Sequence, residues 1–155
     1  MNAEPIDIAA VAADGSKSDR LLGVRSPVAY LSAMRFTQEL DPRVNVIRSY
    51  GDRELRINSD TSLTAMIVAP TATRAEPDLT TVAGLLPEHA DHLLEFDPEL
   101  VLLGTGRRQV FPDACFGARF LQAGIGFEVM DTGAACRTFN VLVSEQRRVV
   151  ALLLL

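Results

Sequence analysis

The sequence is poor in the residues that nucleic-acid binding requires. None of its 155 residues is Trp and only 6% are aromatic, so it offers few rings on which bases could stack. Lys17 is the only lysine, and a formal net charge of −5 opposes binding to a phosphate backbone. We therefore expect no nucleic-acid partner.

Cysteine pairs and long apolar segments are also lacking. Cys115 and Cys136 are too few for a disulfide framework, and the acidic start of the chain does not resemble a secretory leader. The longest apolar run, Val149 to Leu155, is much shorter than the roughly 20 residues of a membrane-spanning helix. These features predict a cytoplasmic protein without a membrane span.

Hydrophobic residues make up 48% of the chain, and a chain of this length usually forms one domain. Residues 1–23 mix small residues with Asp, Gly and Ser and have no sustained apolar period, which predicts a flexible N-terminal arm. We therefore predict a single α/β domain over residues 24–155.

The first half of this domain has the pattern of β-structure followed by a helix. Short β-type runs separated by turn residues predict a hairpin meander over 44–70. Residues 71–86 are rich in turn formers and predict a loop or a short helical turn. Pro87 suits the first position of a helix that runs to about Phe96.

The second half alternates between strands and helices. Apolar runs predict three strands, and the segments between them predict two helices. Right-handed crossovers of this length make the three strands parallel and place the helices outside the sheet. The predicted elements are a strand ending at Gly104, a helix over 113–123, a strand ending at Met130, a helix over 131–146 and a strand over 148–155.

Two features of the 113–123 helix follow from its residue pattern. Phe116, Phe120 and Leu121 have the spacing of an inward face, so we expect all three to contact the sheet. Gly124 follows directly and predicts a left-handed cap.

Two turns at the carboxyl ends of parallel strands form the candidate site. Open α/β sheets bind ligands at this edge, so we expect the two turns to share a pocket. The first turn is not a dinucleotide fingerprint, because Gln109 occupies the position of its third glycine. It is either a plain strand-to-helix turn or an anion cradle assisted by Arg107 and Arg108. The candidate residues are Gly104, Thr105, Gly106, Arg107, Asp131, Thr132, Cys136, Arg137 and Asn140.

Cys136 separates two classes of function. Its predicted place near a helix start and beside Arg137 can lower a thiol pKa, so one hypothesis is a small enzyme with Cys136 as nucleophile and Arg137 as anion binder. A buried, inert cysteine is the commoner case, and no complete catalytic set accompanies this one. The leading hypothesis is therefore a binding or assembly module, without a cofactor, that holds a protein partner or a small anion. A purely structural homo-oligomer is the third alternative.

His89 and His92 lie three residues apart on a predicted helix, where two imidazoles could share a metal ion. No third ligand with matching spacing follows them. We therefore favour a charged, solvent-facing helix surface and predict no metal site.

Several of these motifs also resemble a known family. The segments LLGTG (102–106) and GIGFEVMDTGAACRTFNVLVSE (124–145), with weaker similarity in VIRSYGDRELRIN (46–58) and MIVAP (66–70), resemble the small Mth-like domains. This family includes complex I assembly factor 3 of mitochondria and the adipogenesis-associated Mth-like domain protein. The resemblance implies a three-layer α/β fold with a mixed central sheet. It also implies a non-catalytic role in respiratory complex assembly for the mitochondrial relative, with no established enzymatic activity or cofactor.

Overall fold

The computed structural model describes residues 41–155, which belong to one unit of the chain, Gln38–Leu155. The predicted arm over 1–23, and the start of the predicted domain up to residue 40, lie outside the described residues. The strands are β1 (Ile47–Tyr50), β2 (Leu55–Ile57), β3 (Asp60–Ser62), β4 (Ala65–Val68), β5 (Thr73–Glu76), β6 (Leu100–Thr105), β7 (Gly126–Met130) and β8 (Val149–Leu154). The helices are α1 (Pro87–Leu94), α2 (Ala114–Gln122) and α3 (Thr132–Ser144), with a short 3-10 turn at Val82–Gly84.

A five-stranded mixed sheet lies at the centre, in the order β5-β4-β8-β6-β7. β6 runs parallel to both β7 and β8, whereas β4 runs antiparallel to β8 and to β5. Every residue of β8 is buried, as its uninterrupted apolar sequence predicts for a strand covered on both faces. The predicted mixed sheet and its strand-helix-strand-helix-strand second half are thus confirmed.

The meander forms a separate three-stranded antiparallel sheet, in the order β1-β2-β3. Its composition differs from the prediction in two ways. The polar segment that reads as a turn contributes the edge strand Asp60–Ser62, which pairs with β2. The apolar strand Ala65–Val68 leaves the meander for the central sheet, where both of its faces are covered.

The segment 71–86 holds a strand that the sequence pattern did not predict. Thr73–Glu76 pairs antiparallel with β4, with Thr73 opposite Val68 and Glu76 opposite Ala65. Its side chains show no apolar alternation. The strand is held by backbone hydrogen bonds to the edge of β4, which do not require such a pattern. The predicted helical turn is present at Val82–Gly84.

The helices and the small sheet cover the two faces of the central sheet. On one face, α1 and α2 bury Leu93, Phe116 and Phe120 against the strands. On the other face, α3 buries Phe139, and the small sheet adds its apolar side, which includes Leu55. The molecule therefore has two apolar cores separated by one sheet, which is the predicted three-layer arrangement.

One predicted core residue of α2 is wrong. Leu121 is 68% exposed, whereas Phe116 and Phe120 are buried. Phe116 and Phe120 lie four residues apart and share one helix face, and the next residue is turned about 100° away from that face. Gly124 has a φ of 71°, so the predicted left-handed cap is present.

Candidate functional site

The two glycine-bearing turns are joined by hydrogen bonds. The Thr132 backbone N–H donates to the Gly106 carbonyl at 2.9 Å, and the Gly106 N–H donates to Thr132 Oγ1 at 2.8 Å. The Thr132 hydroxyl itself donates to the Leu154 carbonyl at 2.6 Å. One buried side chain therefore links the end of β6, the start of α3 and the end of β8.

Gly104 and Thr105 build this edge from behind. A Cβ at Gly104 would lie 3.0 Å from Thr132 Cα and 3.1 Å from Ala135 Cβ, so glycine allows α3 to approach β6 closely. The Thr105 hydroxyl accepts from the Val110 N–H at 3.1 Å and lies 2.6 Å from the Arg108 carbonyl. These two residues shape the turn and do not line the cleft described below.

Asp131 begins α3 as the sequence predicts. Its Oδ1 accepts from the Ala134 N–H at 2.8 Å, which satisfies one of the free amides of the first helical turn. Its carboxylate also carries the charge that a helix N-terminus favours. Because its own chain supplies this carboxylate, the helix start is already capped.

An open cleft of about 340 Å³ lies in front of the joined turns. The turn between β1 and β2 forms one wall, and the start of α3 forms the opposite wall. The end of β8 and the turn after β6 complete it. The lining residues are Tyr50, Gly51, Asp52, Gly106, Arg107, Asp131, Thr132, Gly133, Arg137, Leu154 and Leu155.

The two arginines of the cleft bind different partners. Arg107 forms an ion pair with Asp52, and both side chains are largely exposed. Arg137 donates from its guanidinium to the Tyr50 hydroxyl. None of the ion pairs found among residues 41–155 includes Arg137.

Cys136 lies behind the cleft in the core between α3 and the central sheet. It is 1% exposed, and burial raises the pKa of its thiol from 9.0 to about 12. The nearby Arg137 lowers this pKa, but burial is the larger effect and Asp131 acts in the same direction as burial. The nucleophile hypothesis requires a lowered thiol pKa, so this environment does not support it.

Asn140 does not line the cleft and instead binds the backbone of β1. Its Oδ1 accepts from the Ile47 N–H at 2.9 Å, and its Nδ2 donates to the Ile47 carbonyl at 2.8 Å. This side chain therefore satisfies both backbone groups of one residue in β1. It holds the small sheet against α3.

The structure thus divides the candidate residues into two groups. Gly104, Thr105, Cys136 and Asn140 support the site from behind. Those that line the cleft are Gly106, Arg107, Asp131, Thr132 and Arg137.

Tyr50 and Asp52 were missed from the sequence. Tyr50 is the last residue of β1 in the small sheet and Asp52 lies just after it, and both contact residues far along the chain. The Tyr50 ring packs against the start of α3, where a Cβ at Gly133 would lie 2.8 Å from Tyr50 Cε2. The only available signal was the turn between the β-type runs of the meander, at residues 51–54 (GDRE). Such a turn does not reveal which part of the chain it faces.

The two histidines of α1 bind protein groups. His89 Nδ1 accepts from the Leu86 N–H at 2.9 Å. His92 Nδ1 lies 2.8 Å from Glu76 Oε1, and Arg74 donates to His92 Nε2 at 2.8 Å. Within residues 41–155 no group of three metal-ligating side chains was found. No helix in this range has the length and apolar character needed to cross a membrane.

Comparison with known proteins gives a family match over most of the described residues. A model described as "Protein of unknown function (DUF498/DUF598)" matches residues 47–154. The chain is 35% identical over 111 residues to "NADH dehydrogenase [ubiquinone] 1 alpha subcomplex assembly factor 3" of Danio rerio. That match covers 70% of this chain and 63% of the relative.

A second relative is a "13 kDa major membrane protein" of Francisella tularensis subsp. holarctica (strain LVS), which is 32% identical over 73 residues. This match covers 47% of this chain and 59% of the relative, so the chain spans about three fifths of these two relatives. A solution structure from Bordetella pertussis, described as a Mth938-like domain, is similar with a TM-score of 0.66 and 29% identity. It covers 74% of this chain and 87% of that structure, and it supports the same fold.

Proposed function

The chain belongs to the family of proteins of unknown function DUF498/DUF598, and we propose that it is a binding or assembly module that docks a protein partner in the cleft. The observation that carries this proposal is the make-up of the cleft. Two arginines and a tyrosine line the cleft together with the partly buried Leu155, and the thiol of Cys136 is buried behind it. Such a surface suits protein binding, because arginine and tyrosine are common anchoring residues of interfaces. It offers no exposed thiol that could act as a nucleophile.

The relatives support a protein partner over a reaction. A relative with 35% identity is named as an assembly factor for NADH dehydrogenase. A role in respiratory complex assembly is therefore the finer form of this proposal. We also propose a cytoplasmic location, because both cysteines are free. Cell fractionation tests this location, since another relative is named as a membrane protein.

Photo-crosslinking in cells tests the docking proposal. Benzoylphenylalanine at Gly51 would line the cleft, where a Cβ meets no atom within 4 Å. The same group at Leu121, an exposed position on α2, is the matched control. We expect one defined protein adduct from position 51 and none from position 121. Equal adducts at both positions, or none at position 51, would contradict the proposal.

Competition makes the test specific for the cleft. Excess wild-type chain and a Leu121→Trp variant should both suppress the adduct, because their clefts are intact. Arg107→Trp, at a different and exposed lining position, places an indole into the cleft and should not suppress it. Light scattering of the purified chain addresses the remaining alternative, since a fixed assembly and a self-adduct would favour a homo-oligomer over a separate partner.

A further inference from the structure

Within residues 41–155 the exposed Arg137 lacks the carboxylate partner that Arg107 has. Arg107 already contacts the carboxylate of Asp52, whereas Arg137 donates to a neutral phenol. The Tyr50 oxygen accepts one hydrogen bond and leaves the guanidinium charge in place. A guanidinium has five N–H donors in a planar fork that matches a carboxylate. Arg137 therefore presents a full positive charge and further donors to the cleft.

Tyr50 adds a second donor at the same place. Its oxygen accepts from Arg137, so its own O–H remains available to a ligand. Arg137 lies on α3 and Tyr50 at the end of β1, yet both line the cleft. An anionic oxygen placed between them would receive hydrogen bonds from both side chains.

The other charges of the cleft favour a monoanion over a phosphate. At the helix start the Thr132 N–H donates to the Gly106 carbonyl and the Ala134 N–H donates to Asp131 Oδ1, so these two amides are not free to bind a phosphate group. Asp52 and Asp131 both line the cleft and would repel a dianion more strongly than a monoanion. The partly buried side chain of Leu155, which also lines the cleft, suits the carbon atoms next to a carboxylate.

We infer that Arg137, together with Tyr50, receives a side-chain or terminal carboxylate from an acidic segment of the partner protein. This inference rests on the proposed docking function and adds the chemistry of the contact. Charge complementarity carries it, because Arg137 forms no ion pair within residues 41–155 and lines the cleft. Arg107 serves as the internal comparison, since Asp52 already neutralises it.

Nuclear magnetic resonance of the arginine Nε–Hε groups tests the ligand class on the full chain. Titration with acetate should move the Arg137 signal in a saturable way and leave Arg107 and Arg148 unchanged, since Asp52 and Asp97 pair with them. Acetamide, the neutral analogue, should move none of the three. Equal shifts with acetamide, equal shifts of all three arginines, or tighter binding of inorganic phosphate than of acetate would overturn the inference.

The crosslinking assay then tests the protein source of the carboxylate. Arg137→Gln should reduce the adduct from position 51 at least tenfold, and Arg137→Lys should reduce it less. Tyr50→Phe should weaken it without abolishing it, and Arg148→Gln is the charge-matched control that should leave it unchanged.

The outcomes separate this inference from the docking proposal. A full adduct with Arg137→Gln overturns the carboxylate contact and leaves docking in place. If the chain with benzoylphenylalanine at position 51 and an intact Arg137 gives no adduct, docking fails, and saturable acetate binding at Arg137 would then assign a small free carboxylate in place of a partner protein. Far-ultraviolet circular dichroism of each variant checks that its fold is retained.

Discussion

The two faces of the central sheet are covered by different kinds of structure. On the first face, α1 packs Leu93 onto the strands and α2 packs aromatic side chains, of which Phe120 stacks on Phe127 with ring centroids 5.0 Å apart. On the second face, α3 meets the small sheet, and Asn140 contacts Ile47, 93 residues away along the chain. The cleft with Arg107 and Arg137 opens where α3 and that small sheet meet. The proposed binding cleft thus lies at the junction of distant segments, whereas the buried side chains of α1 and α2 pack on the first face.

The two cysteines provide the largest expected contrast between the faces. Cys115 is exposed on α2, and Cys136 is buried under α3. Since the thiolate is the reactive species, a Cys136 pKa of about 12 in place of 9.0 leaves about a thousandfold less thiolate at neutral pH. Iodoacetamide followed by mass spectrometry should modify Cys115 first, and Cys136 only after unfolding. Rapid native labelling of Cys136 would revive the nucleophile hypothesis.

The same burial predicts a loss of stability at alkaline pH. Between pH 9.0 and about 12 the unfolded thiol of Cys136 loses its proton while the folded thiol keeps it, so rising pH favours unfolding. The free energy of unfolding should fall by up to about 1.4 kcal/mol per pH unit from this residue alone. Urea titrations of wild type and Cys136→Ala isolate the effect as a difference. Parallel pH profiles for the two proteins would contradict it.

Two glycines compare the packing of the faces directly. At Gly104 an added methyl group would meet the backbone of α3, so Gly104→Ala should lower the free energy of unfolding by about 2–3 kcal/mol. At Gly117 it would meet only the ring of Phe127, at 3.0 Å, and the gain in helix propensity of about 1 kcal/mol offsets this contact. Chemical denaturation should therefore give a clearly lower free energy of unfolding for Gly104→Ala than for Gly117→Ala. Similar losses for both variants would show that the second face is no more tightly constrained.

Loss of the hydrogen bonds between Asn140 and β1 should lower the free energy of unfolding somewhat less than Gly104→Ala does. Asn140→Ala leaves the N–H and carbonyl of Ile47 without their side-chain partner, and we expect a loss of about 2 kcal/mol in unfolding free energy. Val141→Ala, at an exposed position of the same helix, is the control and should change stability by less than about 0.5 kcal/mol. Hydrogen exchange should localise the loss to β1 and β2. Uniform destabilisation across both faces would argue against a local link.

The smallest expected effect concerns Gly133 and Tyr50. In the wild type, the clash with Tyr50 Cε2 offsets the higher helix propensity of alanine in Gly133→Ala. In a Tyr50→Ala background that clash is gone and a 3.2 Å contact with Asp131 Oδ1 remains, so the same change should be more favourable than in the wild type by about 0.5–1 kcal/mol. A double-mutant cycle from thermal unfolding measures this coupling. Additive changes would mean that the ring does not rest on the helix start.

Much of the fold could be predicted because its strands and caps leave local signals. The apolar runs of β6 and β8 indicate buried strands, and Asp131 directly before a helical segment indicates its cap. The meeting of the two turns follows from parallel strands, whose carboxyl ends share one edge. β5 left no such signal, since Thr73–Glu76 is held through its backbone.

The candidate site could be predicted only on the side built from β6 and α3. Arg107 and Arg137 lie next to the two turns in sequence, so local reasoning found them. Tyr50 and Asp52 reach the cleft through the docking of a second sheet, which no short-range pattern encodes. For Cys136 the sequence left open a thiol activated by Arg137 and the commoner buried, inert thiol, and burial raises its pKa in the direction of the second alternative.

The hydroxyl of Thr132 gives the cleft a mechanical property. Its bonds to Gly106 and Leu154 join a helix start to the ends of two neighbouring strands through a single atom. Force applied to the first turn of α3 by a bound protein is therefore shared at once with the middle of the central sheet. The proposed partner would contact a wall held by these hydrogen bonds, and we expect any change of shape on binding to occur in the partner or in the hairpin that carries Tyr50.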